Sequence, residues 1–229
     1  MFHVKTQYTK CKEGRLVDPY SDPKFTKAWF QDGVRLEYSR NKTFNNKLYG
    51  KDSPLLCYSS LYNEKIKPRI IDLACGGGQF ILDCVNDGCI AIGLDGYEIY
   101  SKYELAAWPI IPNNLFEADL SEPFYISYGN HSFLADVITS WEFMEHLYEE
   151  DLDGVLNNIK LHLKHRGYYI CGISTRPEYG HFLIRNYEWW IAKFNSYGLY
   201  QQTDKVSYFG NDWVRNLEDS MYFVLQNGN

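Results

Sequence analysis

The sequence predicts a doubly wound α/β fold built on a mainly parallel sheet, with helices on both faces. Two observations lead there. From Pro68 onward, short apolar runs bounded by proline and glycine alternate with stretches of helical periodicity. The first run, within IIDLACGGGQF at residues 70–80, ends in three consecutive glycines. Bare main chain beyond the carboxyl end of a strand is where ligands of such folds bind.

The elements follow in order. RIIDLA (69–74) is the first predicted strand, and QFILDCVND (79–87) a helix closed by Gly88. CIAIGLD (89–95) is the second strand, and EIYSKYELAA (98–107) a second helix stopped by Trp108 and Pro109. NLFEADL (114–120) and ADVITSW (135–141) supply the third and fourth strands. DLDGVLNNIKLHLKHRG is the clearest helix, with Leu152, Val155, Leu156, Ile159 and Leu163 on one face. Acids at its start and Lys164, His165 and Arg166 at its end would complement the macrodipole, and Gly167 would stop it. YYICGIST is the fifth strand, EWWIAKFNSYG a further helix and SMYFVLQ the last strand.

Residues 1–66 are polar, aromatic and irregular, so the chain divides into an N-terminal extension (1–66) and an α/β domain (67–229). The stretch KAWFQDGVRLEY would fold over the site as a lid or pack on the sheet. A net charge of −6 with scattered cations argues against long nucleic acid as a partner. The 20 tyrosines and 6 tryptophans suit a site that stacks on the flat faces of sugars or bases. The six cysteines form no C-x-x-C pair and read as reduced thiols, which points to the cytoplasm. No segment is apolar for long enough to span a bilayer.

Two readings compete for the glycine turn. A dinucleotide-binding fingerprint, G-x-G-x-x-G, is met by Gly76 and Gly78 but broken by Ile81. The alternative, D-x-G-x-G-x-G, is met by Asp72, Gly76 and Gly78, with Ala74 in place of the first glycine. The next two strands also end on acids, Asp95 followed by Gly96, and Asp119 followed by Leu120. In this the chain resembles the class I S-adenosylmethionine-dependent methyltransferases over about its last two-thirds.

The resemblance implies a seven-stranded Rossmann-like sheet and S-adenosyl-L-methionine as cofactor. It implies that Asp72, Ala74, Cys75, Gly76 and Gly78 hold the methionine end of the cofactor, whose carboxylate suits main-chain N–H donors. Asp95, with Gly96, would accept both ribose hydroxyls. Asp119 would bond the adenine amine, Leu120 would cover the ring, and Ser140 and Trp141 would complete the wall.

The fourth strand runs into WEFMEHL, where Glu142, Glu145 and His146 stand at i, i+3 and i+4. If that turn is helical, one face carries two carboxylates and an imidazole. The segment is similar to the E-x-x-E-H stretch of ubiquinone-type O-methyltransferases and of small-RNA 2′-O-methyltransferases, where it ligates a divalent cation. It is also similar to the W-E-x-x-E-H stretch of sugar and polysaccharide O-methyltransferases, which precedes a histidine and a Trp-Trp helix; here these are His181 and Glu188-Trp189-Trp190.

The expected activity is therefore O-methylation of a sugar hydroxyl, in a glycan or a nucleotide sugar. His146 or His181 would be the base, with Glu145 beside them. Glu142, Glu145, His146 and His181 would be ligands if Mg2+ or another divalent cation takes part. Arg176, Tyr179 and Trp189 would meet the acceptor. A small aromatic or quinone-like hydroxyl is the alternative acceptor, and a cofactor-binding module without catalysis is the alternative of another class. The oligomeric state is open.

Overall fold

A computed structural model of the protein describes residues 1–6, 44–50, 53, 55, 67–209 and 219–228. The predicted lid stretch, residues 27–38, lies outside them. Two sheets form. The larger contains β2 (Arg69–Leu73), β3 (Ile90–Asp95), β4 (Leu115–Glu117), β7 (Ala135–Trp141), β8 (Leu163–Ser174), β9 (Leu199–Gln201) and β10 (Ser220–Asn227). Its spatial order is β4-β3-β2-β7-β8-β10-β9. The neighbours from β4 to β8 pair in parallel, and β10 is inserted antiparallel to both β8 and β9. The expected fold class is therefore the observed one.

Helices cover both faces because the strands are apolar on both. Alternate residues divide between two cores: Ile71, Leu73, Ile92, Ile138, Tyr169 and Cys171 face one side, while Ile70, Ala91, Val137, Tyr168 and Ile170 face the other. On the first side lie α3 (Glu149–His162) and α4 (Tyr187–Ser196), through Leu152, Val155, Leu156, Trp190 and Phe194. On the second lie α1 (Gln79–Asn86) and α5 (Thr203–Phe209), through Ile81, Cys84 and Phe209. A helical turn over residues 44–49 joins them there: Phe44 sits 4.9 Å from Phe209 and 5.4 Å from Trp141 between ring centroids, and the Tyr49 hydroxyl donates to Asp87.

Local expectation and structure part at several elements. The helix expected over 98–107 is only α2 (Ile99–Lys102), because Glu104 and Ala106 take left-handed conformations, at φ 50° and 51°. The helix expected to reach Arg166 stops at His162, and β8 begins at once. Lys164 is therefore not a C-terminal helix charge; it pairs with Asp136 at 2.6 Å across the β7–β8 junction, where the register shifts. The third strand is shorter than expected and ends at Glu117. A second sheet lies outside the expected strands: β1 (Phe2–Thr6) and β6 (His131–Ser132) flank β5 (Phe124–Tyr128), all antiparallel. Its inner side, with Phe2, Phe124 and Ile126, joins the core around α3.

Among the described residues Cys75, Cys84, Cys89 and Cys171 are free thiols, and no helix is long and apolar enough to cross a membrane.

Candidate functional site

The site forms where the strand order reverses, between β2 and β7, at the carboxyl ends of the parallel strands. Pairing of Asp72 with Thr139 in the β2–β7 register sets the first contact: the Thr139 hydroxyl donates to Asp72 Oδ1 at 2.6 Å. Asp72 is buried, and that burial pushes its carboxyl up to about 7, against the Thr139 bond. A carboxyl raised above its unfolded value binds its proton more tightly in the folded state, so this group favours folding less as pH rises from about 4 to about 7. Asp72→Asn keeps an acceptor for Thr139 and lacks that titration. Relative to the parent, the variant should gain stability between pH 5 and pH 8 in urea unfolding. An equal difference at both pH values would show that Asp72 is not held protonated.

Beyond Asp72 the chain turns sharply. Ala74, Gly76 and Gly78 all have positive φ, at 56°, 52° and 75°. The D-x-G-x-G-x-G motif asks for glycine at these three places, and Ala74 accepts a left-handed strain of about 1–2 kcal/mol. At Gly78 a Cβ would lie 2.4 Å from Leu115 Cδ1, so a side chain there would be strained and would have to displace Leu115.

Asp95, at the end of β3, ties this turn to the next loop. Its Oδ2 accepts the Gly76 N–H at 2.8 Å and its Oδ1 the Tyr97 N–H at 2.7 Å. Burial pushes Asp95 up to about 6, while those two N–H bonds oppose it and Glu117 adds repulsion. Each oxygen retains a second lone pair. Gly96 lies in the turn that Asp95 closes, and Ser101 donates to Glu117 alongside. Asp119 is buried, with Oδ1 capping the following turn through the Ser121 N–H and hydroxyl. Leu120 sits in the core on the α3 side. Ser140 is buried, its hydroxyl 2.7 Å from that of Tyr169, while Trp141 packs against Phe44. Cys75 is half-buried beside Gly93.

A second cluster lies at the ends of β7 and β8. Met144–His146 forms a 3-10 turn. Glu145 is wholly buried; its Oε1 accepts the Ser174 N–H, and its carbonyl accepts the N–H groups of Phe182 and Leu183. This pins the loop after β8 against the turn and sets the His181 ring edge-on to that of His146, at 4.7 Å between centroids. His146 Nδ1 lies 2.9 Å from the Gly180 carbonyl and His181 Nδ1 2.8 Å from that of Arg176. A carbonyl only accepts, so each Nδ1 carries a hydrogen; this leaves the neutral His146 ring a lone pair on Nε2, whereas the His181 Nε2 lies 3.4 Å from Glu178 Oε1. Burial holds the His146 imidazole below its ordinary value, and His181 acts in the same direction.

Ligand atoms of Glu145, His146 and His181 lie within 4.8 Å of one another. The residue types fit a divalent cation, since both imidazoles are held through Nδ1 by main-chain carbonyls, as metal-binding histidines are oriented, although the His181 Nε2 also faces Glu178 at 3.4 Å. Two imidazoles and one carboxylate suit a transition ion better than magnesium. Glu142 does not join this set. It sits outside the short turn at φ 50° and accepts a bond from the Ser220 hydroxyl at 3.3 Å, so the expected single helical face is not formed.

Of the expected acceptor contacts, Arg176 pairs with Asp219 at 3.2 Å, and Tyr179 is 88% exposed. Trp189 is half-buried, edge-on to Trp190 and beneath Arg185. Tyr148 and Phe182 stack at 4.5 Å next to the histidines. Thr139, Trp108, Gly180 and Phe182 carry contacts that no motif in the sequence signalled; only the aromatic richness hinted at Phe182 and Tyr148.

No protein-family model and no curated protein matches the sequence. Solved structures do resemble it. A SAM-dependent methyltransferase from Archaeoglobus fulgidus aligns with 84% of this chain and 94% of its own, at 15% identity and a TM-score of 0.54. A TehB-like SAM-dependent methyltransferase from Corynebacterium glutamicum aligns with 88% and 100%, at 16% identity and a TM-score of 0.52. The magnesium protoporphyrin IX methyltransferase of Synechocystis, with SAM bound, aligns with 87% and 84%, at 11% identity and a TM-score of 0.54. At such identities the likeness establishes a shared fold.

Proposed function

We propose that this protein is an S-adenosylmethionine-dependent O-methyltransferase whose acceptor is a hydroxyl of a sugar, within a glycan or nucleotide sugar. The observation that carries the reading is the pairing, at one sheet edge, of the Asp72–Gly78 turn clasped by Asp95 with the His146–His181 pair. The turn and Asp95 suit an adenosyl amino acid, because ribose hydroxyls donate and the Asp95 oxygens have lone pairs to accept. When bound, the cofactor supplies an electrophilic methyl on sulfur. That methyl would pass in line to an acceptor oxygen, and the part of this chain's own residues would be to align the acceptor and to take up its hydroxyl proton at a histidine Nε2. His146 suits this role because its imidazole is held neutral at ordinary pH. Phe182, stacked on Tyr148, and the exposed Tyr179 offer ring faces on which a pyranose can lie.

The test is transfer of labelled methyl from S-adenosylmethionine to a panel of glycosides, nucleotide sugars and phenols, with and without a chelator. Transfer to phenols alone supports the alternative acceptor, a small aromatic or quinone-like hydroxyl, which the same stacked rings would hold. Tight cofactor binding with transfer to no acceptor supports a non-catalytic module. Loss of activity on chelation, restored by a transition ion, supports the second reading of the cluster. In that reading Glu145, His146 and His181 hold a cation that lowers the acceptor hydroxyl's pKa.

A further inference from the structure

We propose that Trp108 is a positioning residue that aims the Gly77 N–H at the carboxylate of the cofactor's amino-acid end. The inference rests on the S-adenosylmethionine reading. Residues 103–108 form a strap over the glycine turn, and its shape is bent at a cost: two non-glycine residues, Glu104 and Ala106, are left-handed. The bend brings two donors onto the turn. The Trp108 Nε1–H donates to the Gly76 carbonyl and the Ala107 N–H to the Gly77 carbonyl, both at 2.9 Å. The strap lies close, since a Cβ on Gly77 would be 2.9 Å from that of Ala106.

In a trans peptide the C=O and the following N–H point in opposite directions. Drawing the Gly76 carbonyl toward the indole therefore turns the Gly77 N–H to the far side of the turn. The neighbouring N–H groups are already used, Gly76 by Asp95 and Gly78 by the Cys75 carbonyl. The Gly77 N–H donates to no group among the described residues. A half-buried, oriented main-chain donor without a protein acceptor suits a ligand carboxylate.

Trp108→Phe keeps a ring in the same place and removes only the donor. Isothermal titration with S-adenosylmethionine and with decarboxylated S-adenosylmethionine measures the protein's preference for the carboxylate. The parent should favour the carboxylated form, and the variant should lose about five- to tenfold of that preference. Equal weakening for both ligands, or no weakening, overturns the inference while leaving the cofactor reading intact, and so does a parent that does not discriminate between them. A parent that binds neither nucleoside ends the cofactor reading itself.

Discussion

Asp95→Asn should weaken S-adenosylmethionine binding by about 100-fold or more, the largest effect expected of a single isosteric change in this protein. Both Asp95 oxygens accept main-chain N–H groups, from Gly76 and Tyr97. An asparagine must point its NH2 at one of those donors whichever way it is flipped, and an NH2 accepts nothing. One N–H then loses its partner and the turn is pushed away from the loop. The ribose also loses a charged acceptor, and hydrogen bonds to charged groups contribute about 1.5–3 kcal/mol each. Titration calorimetry reads the affinity, and urea unfolding should show a parallel loss of about 1–3 kcal/mol from the stranded donor. In the parent, binding should weaken as pH falls through about 6, where the Asp95 carboxyl takes up its proton. The variant should lack that dependence. An asparagine variant that binds within threefold of the parent would remove Asp95 from the ribose and, with it, the main support for the cofactor reading.

Turnover should fall by about 10²–10⁴-fold in His146→Ala or His181→Ala while S-adenosylmethionine affinity stays within about twofold. The two histidines meet each other at the end of the sheet, whereas the glycine turn is held by Asp95 and Trp108, so the two halves of the site separate on mutation. Alanine also removes the Nδ1–H bond to the Gly180 carbonyl that anchors the loop. His146→Gln answers this, because its amide N–H can still reach that carbonyl but offers no base. It should be as inactive as alanine. Because burial holds the His146 imidazole below its ordinary value, the acid limb of the parent's rate profile should fall below pH 6.5. If both alanine variants keep the full kcat, neither histidine handles the proton.

Much of the fold could be read locally. Strands buried on both faces must be apolar throughout, so RIIDL, IAIGLD and ADVITSW announce themselves, and the helix of Leu152 to Ile159 follows from its own periodicity. The glycine turn was equally plain, since positive φ demands glycine and Gly76 and Gly78 stand where it is needed. Elements whose shape depends on distant partners were not. The helix from Glu98 breaks at Tyr103 because the strap must reach Gly76 and Gly77, about thirty residues away. The Leu163 strand begins early because β7 is there to pair with it. The small sheet of β1, β5 and β6 joins residues 2–6 to residues 124–132, a pairing no window of sequence contains.

The candidate site divides in the same way. Residue types and strand ends placed Asp72, Asp95, His146 and His181 at one edge of the sheet, because chain order and strand direction alone decide which edge a residue reaches. Which of them meet was settled by folding: Thr139 on Asp72 through strand register, Asp95 clasping the glycine turn, His181 edge-on to His146, and Glu142 turned away to Ser220. A side chain's partners depend on distances between segments far apart in the chain, and those distances exist only once the two cores have closed on the sheet.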